Sequence, residues 1–72
     1  TDNCKVYLSG DMLRFEQYSG YTFSIYNING TLSDKFNIDD DYQTIRLKKE
    51  KGLYIVVGTN GKNTITRKIQ LR

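Results

Sequence analysis

The chain closes with the stretch Gly52-Leu-Tyr-Ile-Val-Val-Gly-Thr-Asn-Gly-Lys-Asn-Thr-Ile-Thr-Arg-Lys-Ile-Gln-Leu-Arg72. Residues 53–57 are an unbroken run of apolar, strand-favouring side chains, and residues 63–71 alternate between apolar and polar positions. Between them, Asn60-Gly61 favours a type I′ hairpin turn, since both central positions of that turn need a positive φ. The stretch therefore predicts a β-hairpin. A run that is apolar on both faces places its first strand inside a sheet, with the rest of the chain covering it.

The same alternation recurs upstream in five short segments separated by turn residues, at positions 5–8, 12–16, 22–28, 31–38 and 42–48. Asn29-Gly30 predicts a second hairpin of the same turn type. In the segment that follows it, Leu32, Phe36 and Ile38 share one phase, which Asp34 interrupts. Seven short strands without a helical period predict an all-β fold, a small antiparallel immunoglobulin-like β-sandwich. A five- or six-stranded barrel is the alternative.

The composition restricts the chemistry that this single domain of 72 residues can perform. It contains no His, and its one cysteine, Cys4, cannot form an internal disulfide or a thiolate metal cluster. Asp39, Asp41 and Gln43 have the spacing of a calcium loop, but Thr44 stands where such a loop needs glycine. No nucleophile–base motif occurs. We therefore predict that the domain is not an enzyme and binds no metal or cofactor.

The charge is uneven: the net charge is +3, and residues 37–72 carry eight basic against four acidic side chains. This basic half of the chain could bind an acidic partner, a lipid headgroup or nucleic acid. It could instead serve solubility, with lysines that protect the strand edges from aggregation. The basic residues together with six Tyr and three Phe leave a single-stranded nucleic-acid binder as one alternative. We predict that the domain does not bind nucleic acid, since most of its aromatic rings occupy inward-facing positions. No apolar run is long enough to cross a membrane.

Several motifs occur in a fixed order along the chain. They are Ser-Ile-Tyr-Asn-Ile-Asn-Gly-Thr-Leu at 24–32, Ile-Arg-Leu at 45–47, Gly-Leu-Tyr at 52–54, Gly-Lys at 61–62 and Lys-Ile-Gln-Leu-Arg at 68–72. As an ordered set that ends at the last residue, they resemble the C-terminal sorting domain of type IX secretion cargo proteins of Bacteroidetes.

The resemblance implies that residues 1–72 are a single sorting domain, the tail of a longer exported protein. Such domains are immunoglobulin-like addresses that follow an N-terminal passenger domain. The outer-membrane translocon recognises the folded domain, and shuttle and sortase proteins then usually remove it and attach the passenger to the cell surface. The expected location is the periplasm in transit, then the outer-membrane surface or the exterior. A homodimer and a generic adhesion or spacer module stay open as alternatives.

By matched position, the resemblance also implies which residues act. Those expected to be recognised by the translocon are Lys68, Ile69, Gln70, Leu71 and Arg72. Those expected to shape the hairpin that presents them are Gly52, Tyr54, Asn60, Gly61 and Lys62, and Asn29 and Gly30 form the other turn. A purely structural interpretation also exists, in which Ile69 and Leu71 close the core while Lys68 faces water.

Overall fold

Seven β-strands and no helix make up residues 3–72, the part that the computed structural model describes. The first two residues of the predicted 1–72 domain lie outside this part. The strands are β1 (Lys5–Ser9), β2 (Met12–Glu16), β3 (Thr22–Asn27), β4 (Leu32–Asn37), β5 (Tyr42–Arg46), β6 (Gly52–Thr59) and β7 (Thr64–Leu71). All pairings are antiparallel. The predicted all-β fold is therefore confirmed.

Two separate sheets face each other, in the orders β1-β2-β5 and β4-β3-β6-β7. In a constant-type immunoglobulin domain the fourth strand shares a sheet with the first, second and fifth. Here the fourth strand pairs with the third instead, which gives a sheet of three strands and a sheet of four. Over the described residues no ladder joins the two sheets, so the sandwich is confirmed and the barrel alternative is wrong. The hairpin of β6 and β7 is confirmed as well, with β6 inside its sheet and β7 at the edge.

The core lies between the sheets and is built from inward-facing residues of β2, β3, β6 and β7, together with Tyr18, Ile38 and Leu47 from the connections. Its buried members are Leu13, Phe15, Tyr18, Phe23, Ile25, Ile38, Leu47, Val56, Ile69 and Leu71. The rings of Phe15 and Phe23, from opposite sheets, lie with their centroids 4.6 Å apart. Tyr18 meets the Phe23 ring edge-on at 5.3 Å. This aromatic cluster joins the two layers of a small domain.

Gly58 is required for core packing, although it belongs to none of the sequence motifs. It lies directly opposite Phe23 on the neighbouring strand, and the Phe23 ring lies across it. A Cβ at position 58 would come within 2.4 Å of that ring. Since Phe23 is fully buried, the ring has no free space to move into. Glycine is therefore required here for the close approach of a side chain, within an otherwise apolar strand.

The Asn60-Gly61 turn forms, but the predicted type I′ geometry is wrong. Gly61 has φ 93°, whereas Asn60 is not among the residues with positive φ. The connection is a four-residue loop, 60–63, because the Asn60 side chain caps it. Its Oδ1 accepts from the backbone N–H of Lys62 at 2.9 Å and of Asn63 at 2.7 Å. A side-chain amide that satisfies two loop donors competes with the tighter turn.

The Asn29-Gly30 turn departs from type I′ for the same reason. Only Gly30 has a positive φ, of 83°, and the loop consists of the three residues 28–30. The Asn27 side chain accepts the N–H groups of Asn29 at 2.9 Å and Thr31 at 3.1 Å. A three-residue loop that ends in a left-handed glycine is the next most common hairpin connection after the two-residue turns.

Two phase predictions on the four-stranded sheet are also wrong. Leu32 does not share the inward phase of Phe36, because a register shift in the β3–β4 pairing turns it to the outer face, where it is 50% exposed. Residues 53–57 are covered on one face only. Tyr54 and Val56 point into the sandwich, while Leu53 is 43% exposed on the outer face.

Lys49 links the two halves of the sandwich. It lies in the connection between β5 and β6, and its ammonium contacts the Asp34 carboxylate and the Ser33 hydroxyl of β4. The Lys49 side chain is only 14% exposed. The ion pair with Lys49 explains why Asp34 occupies an inward-facing position of β4 among apolar residues.

We expect Gly58→Ala to destabilise the protein by about 2 kcal/mol, because the added methyl overpacks a filled core. Urea denaturation measures the loss. In a Phe23→Leu background the same substitution should cost less than about 0.5 kcal/mol, since the two side chains no longer compete for one space. An unchanged midpoint for Gly58→Ala alone would contradict the packing described here.

A double-mutant cycle tests the Lys49–Asp34 pair. We expect Lys49→Ala and Asp34→Ala to show a coupling energy of about 1 kcal/mol, near the upper end for partly exposed ion pairs. The coupling should shrink in 1 M salt, because salt screens the attraction. The exposed Arg46–Asp11 pair, at 3.3 Å, is the matched control and should couple more weakly. Equal couplings for the two pairs would show that Lys49 has no special role.

Candidate functional site

The C-terminal strand β7 forms one edge of the four-stranded sheet. It pairs along its whole length with β6, from Gly52 opposite Leu71 to Thr59 opposite Thr64. Its other side carries no hydrogen-bonded strand within residues 3–72. An edge of this kind presents backbone N–H and C=O groups to which a further strand can add.

The five residues predicted for recognition divide between the core and the surface. Ile69 is 8% and Leu71 6% exposed, and both belong to the core cluster. Lys68, Gln70 and Arg72 are exposed. The prediction that Ile69 and Leu71 close the core is therefore confirmed. A partner that binds the folded domain at the end of β7 can contact three of these five side chains, because every second side chain of a strand points inward.

Two of the predicted shaping residues hold β7 in place from β6. Gly52 lies opposite Leu71, and Tyr54 lies opposite Ile69. The Tyr54 ring is half-buried against the core, and its hydroxyl donates to the Glu50 carbonyl at 2.8 Å. Tyr54 thus connects the chain before β6 to the strand that carries the predicted recognition residues.

The 60–63 loop lies at the opposite end of the hairpin from Arg72. The strand between them, β7, has eight residues. At about 3.4 Å per residue it spans roughly 25 Å. Asn60, Gly61 and Lys62 are therefore not part of one site with residues 68–72. The Asn29-Gly30 turn lies at the same end of the sheet as Arg72, since Asn27 pairs with Tyr54 and Tyr54 with Ile69. It is two strands away from β7, at the tip of the β3–β4 hairpin.

A cleft of ≈ 460 Å³ opens where β7 ends. Its lining brings together the β1–β2 turn, the β5–β6 connection and the end of β7: Leu8, Gly10, Asp11, Leu47, Lys49, Lys51, Gln70, Leu71 and Arg72. Lys51 and Arg72 flank the paired residues Gly52 and Leu71, and neither forms an ion pair within residues 3–72. The cleft therefore holds two cations that form no ion pair among residues 3–72, and the Asp11 carboxylate in its lining is paired with Arg46. No sequence motif indicates this cleft, because its lining residues are far apart in the chain.

Arg67 is a further surface residue that no sequence motif indicates. It occupies the inward phase of β7, opposite Val56, yet it is exposed. It lines a shallow opening with Tyr18 and Cys4, at a place where the sandwich is not closed. Burial raises the pKa of the Tyr18 hydroxyl. The apolar stem of Arg67 can cover this rim while its guanidinium stays in water.

The acidic segment 39–41 has a structural role. The Gln43 side chain accepts from the backbone N–H of Asp39 at 3.0 Å and of Asp40 at 3.3 Å, and β5 begins at Tyr42. Because β5 begins inside the spacing of the hypothetical calcium loop, that loop does not form; such loops are flanked by helices. Across residues 3–72, no three His, Cys, Asp or Glu side chains converge in a way that could hold a metal ion. The described chain also forms no helix long and apolar enough to span a membrane.

The chain is a small β-sandwich whose basic edge strand β7 is anchored in the core by Ile69 and Leu71. Residues 2–72 match the secretion system C-terminal sorting domain, and the chain belongs to that family. It is thus a C-terminal sorting signal of type IX secretion, as the motifs predicted. The family is one of secretion signals rather than of catalysts. No curated protein matches the chain.

Membership has two direct consequences. The protein that carries this domain is exported across the outer membrane, and the domain interacts with the type IX secretion machinery. Part of its surface is therefore a binding surface for that machinery.

We expect Tyr54→Ala to destabilise the fold by about 2 kcal/mol, below the roughly 3–5 kcal/mol of fully buried aromatic truncations, because the ring is half-buried. Tyr54→Phe should cost about 1 kcal/mol, through loss of the hydrogen bond to Glu50. Lys68→Ala, on the same hairpin but facing water, is the control and should stay within about 0.5 kcal/mol of the parent. Denaturation midpoints decide this, and a Tyr54→Ala loss as small as that of Lys68→Ala would contradict the inward placement of the ring.

Proposed function

We propose that the type IX translocon recognises the folded domain through the exposed side chains at the end of β7. The observation that carries the proposal is the alternation along residues 68–72. Ile69 and Leu71 are anchored in the core, while Lys68, Gln70 and Arg72 project from an edge strand. The anchored residues contribute indirectly, by holding the three exposed ones at fixed spacing.

A preformed strand suits this role energetically. Binding a rigid segment avoids most of the conformational entropy that ordering a flexible tail would cost. The free edge of β7 can pair with a strand of the partner, and the side chains then give specificity. Lys51 and Arg72 beside the terminal cleft add positive charge, so an acidic surface of the translocon is the complementary partner.

The wider pathway is part of the same proposal, supported by family membership. Residues 1–72 act as one sorting domain at the tail of a longer protein, with a passenger on its N-terminal side. The protein passes through the periplasm, the outer-membrane shuttle and translocon receive the domain, and a sortase then removes it. The passenger is released or attached to the cell surface. Pairing of two β7 edges would also permit a homodimer.

The alternative functions find less support. Most aromatic rings pack into or against the core, which leaves Tyr7 and Tyr42 as the strongly exposed ones. Stacking of single-stranded nucleic acid needs a row of exposed rings. A generic adhesion or spacer module would not need an alternating, exposed C-terminal strand.

An export assay tests the recognition proposal. A periplasmic reporter fused to residues 1–72 should reach the cell surface or the medium in a type IX-competent cell, and stay periplasmic in a translocon-deficient one. The triple variant Lys68→Ala, Gln70→Ala, Arg72→Ala should keep its fold and lower export by about tenfold or more, as expected when about 1.4 kcal/mol of binding is lost.

The matched control removes as many exposed side chains from the outer face of the other sheet, with Lys5→Ala, Arg14→Ala and Thr44→Ala. This variant should be exported like the parent. Thermal melting of both variants separates lost recognition from lost folding. Normal export of the β7 triple variant would disprove recognition through these side chains.

A further inference from the structure

The outer face of the four-stranded sheet has an apolar centre. Strand pairing places five apolar or aromatic side chains side by side on it, and we call them the apolar outer face: Tyr26, Leu32, Leu53, Ile55 and Val57. Leu32 and Leu53 are exposed and the other three half-buried. No described residue covers them. An antiparallel sheet with one solvated face normally alternates apolar inward and polar outward residues, and β6 breaks that rule in its outward phase.

The outer face of the three-stranded sheet obeys the rule. Its outward positions include Lys5, Arg14, Glu16 and Arg46, so charges of both signs are mixed across it. Tyr7 and Tyr42 are also exposed on this face, but Arg14 and Glu16 of β2 lie between them. On the four-stranded sheet, by contrast, the apolar side chains lie side by side. A contiguous apolar surface rimmed by polar residues is typical of an interaction site.

Two lysines flank the apolar outer face on opposite edges. Lys68 on β7 lies in one cross-strand row with Ile55 and Tyr26, and Lys35 on β4 lies in the next row with Val57. The edge strands are three strand spacings apart, roughly 14 Å. No outward position of β3, β4, β6 or β7 is acidic, and neither lysine forms an ion pair within residues 3–72. The face is therefore apolar at its centre, and the outward-facing charged side chains on its two edge strands are lysines.

We propose that the apolar outer face binds an acidic protein segment whose apolar side chains cover Ile55 and Val57 and whose carboxylates meet Lys35 and Lys68. Rows of Thr and Ser beside the apolar residues, together with the Tyr26 hydroxyl, supply directional hydrogen bonds that an extended peptide can use. The proposal goes beyond the export signal, because Lys35 and the apolar outer face lie outside the C-terminal tag and only Lys68 is common to both.

Two other occupants fit less well. A second copy of the chain would bring two more lysines and no carboxylate to the interface, so its charges would repel. An anionic membrane gains about 1 kcal/mol per basic residue and usually needs a larger basic cluster than two lysines. An acidic segment is the occupant that compensates both cations and covers the apolar residues at once.

Peptide titration tests the charge preference. The probes are two synthetic peptides of eight residues, one alternating Val and Glu and the other alternating Val and Lys. Added to the ¹⁵N-labelled 72-residue chain, the Glu peptide should shift the amide signals of Tyr26, Ile55 and Val57. The Lys peptide should bind about tenfold more weakly, as expected from two exposed ion pairs.

Charge reversal provides the decisive variant. Lys35→Glu with Lys68→Glu should invert the preference, so that the Lys peptide becomes the tighter ligand. The control pair Lys5→Glu with Arg14→Glu makes the same change in net charge on the other sheet and should keep the preference for the Glu peptide. Thermal melting verifies that each variant is folded.

Four results would overturn the proposal. They are equal affinity for the two peptides, a preference that the Lys35–Lys68 reversal leaves unchanged, shifts confined to the edge of β7, and shifts confined to the three-stranded sheet. Binding of anionic phospholipid vesicles without peptide binding would assign the face to a membrane instead. Self-association that shifts the same amides in the absence of peptide would assign it to a second copy.

Discussion

The ring of Phe23 lying across the backbone of Gly58 is the contact on which the rest of the sandwich depends. A chain of 72 residues buries only a modest core, so a few large rings have to join its two layers. Phe23 contacts Phe15 from the opposite sheet, and its ring can lie across β6 only because that neighbouring strand has no side chain at position 58. This contact sets β6 against the core, and β6 in turn sets the register of β7 through the paired positions from Gly52 to Leu71.

One strand thus combines a structural role with the proposed role in recognition. The side chains of Ile69 and Leu71 close the core, and those of Lys68, Gln70 and Arg72 project from the same strand. The exposed set has its spacing and direction only while the anchored set is packed. A partner that recognises this pattern therefore responds to the folded domain and not to the sequence alone, which is a useful property for a signal that should act on finished proteins.

The basic residues in the second half of the chain occupy several separate sites with different environments. Lys49 is drawn into the fold by Asp34. Lys51 and Arg72 border the cleft at the end of β7. Lys68 stands at the rim of the apolar outer face. Net charge reports none of this division, because Coulombic effects depend on the distance and burial of each group.

Strand positions, most inward phases, both hairpins and the family motifs were determined by the sequence itself, because a period of two and the turn signals are local properties. The sorting-signal identity followed from motif order, and so did the list of residues proposed for recognition. Strand alternation also predicted that Ile69 and Leu71 close the core while Lys68 faces water. Only the tertiary structure decided the rest. Capping by Asn60 chose the turn geometry, a register shift moved Leu32 to the outer face, and the pairing of β3 with β6 gave Gly58 its role. The Asn60 cap is a local hydrogen-bonded interaction that competes with the type I′ turn. The Leu32 shift, the Phe23–Gly58 contact and the Lys49–Asp34 pair depend on contacts between separate strands or connections, whose geometry no local pattern specifies.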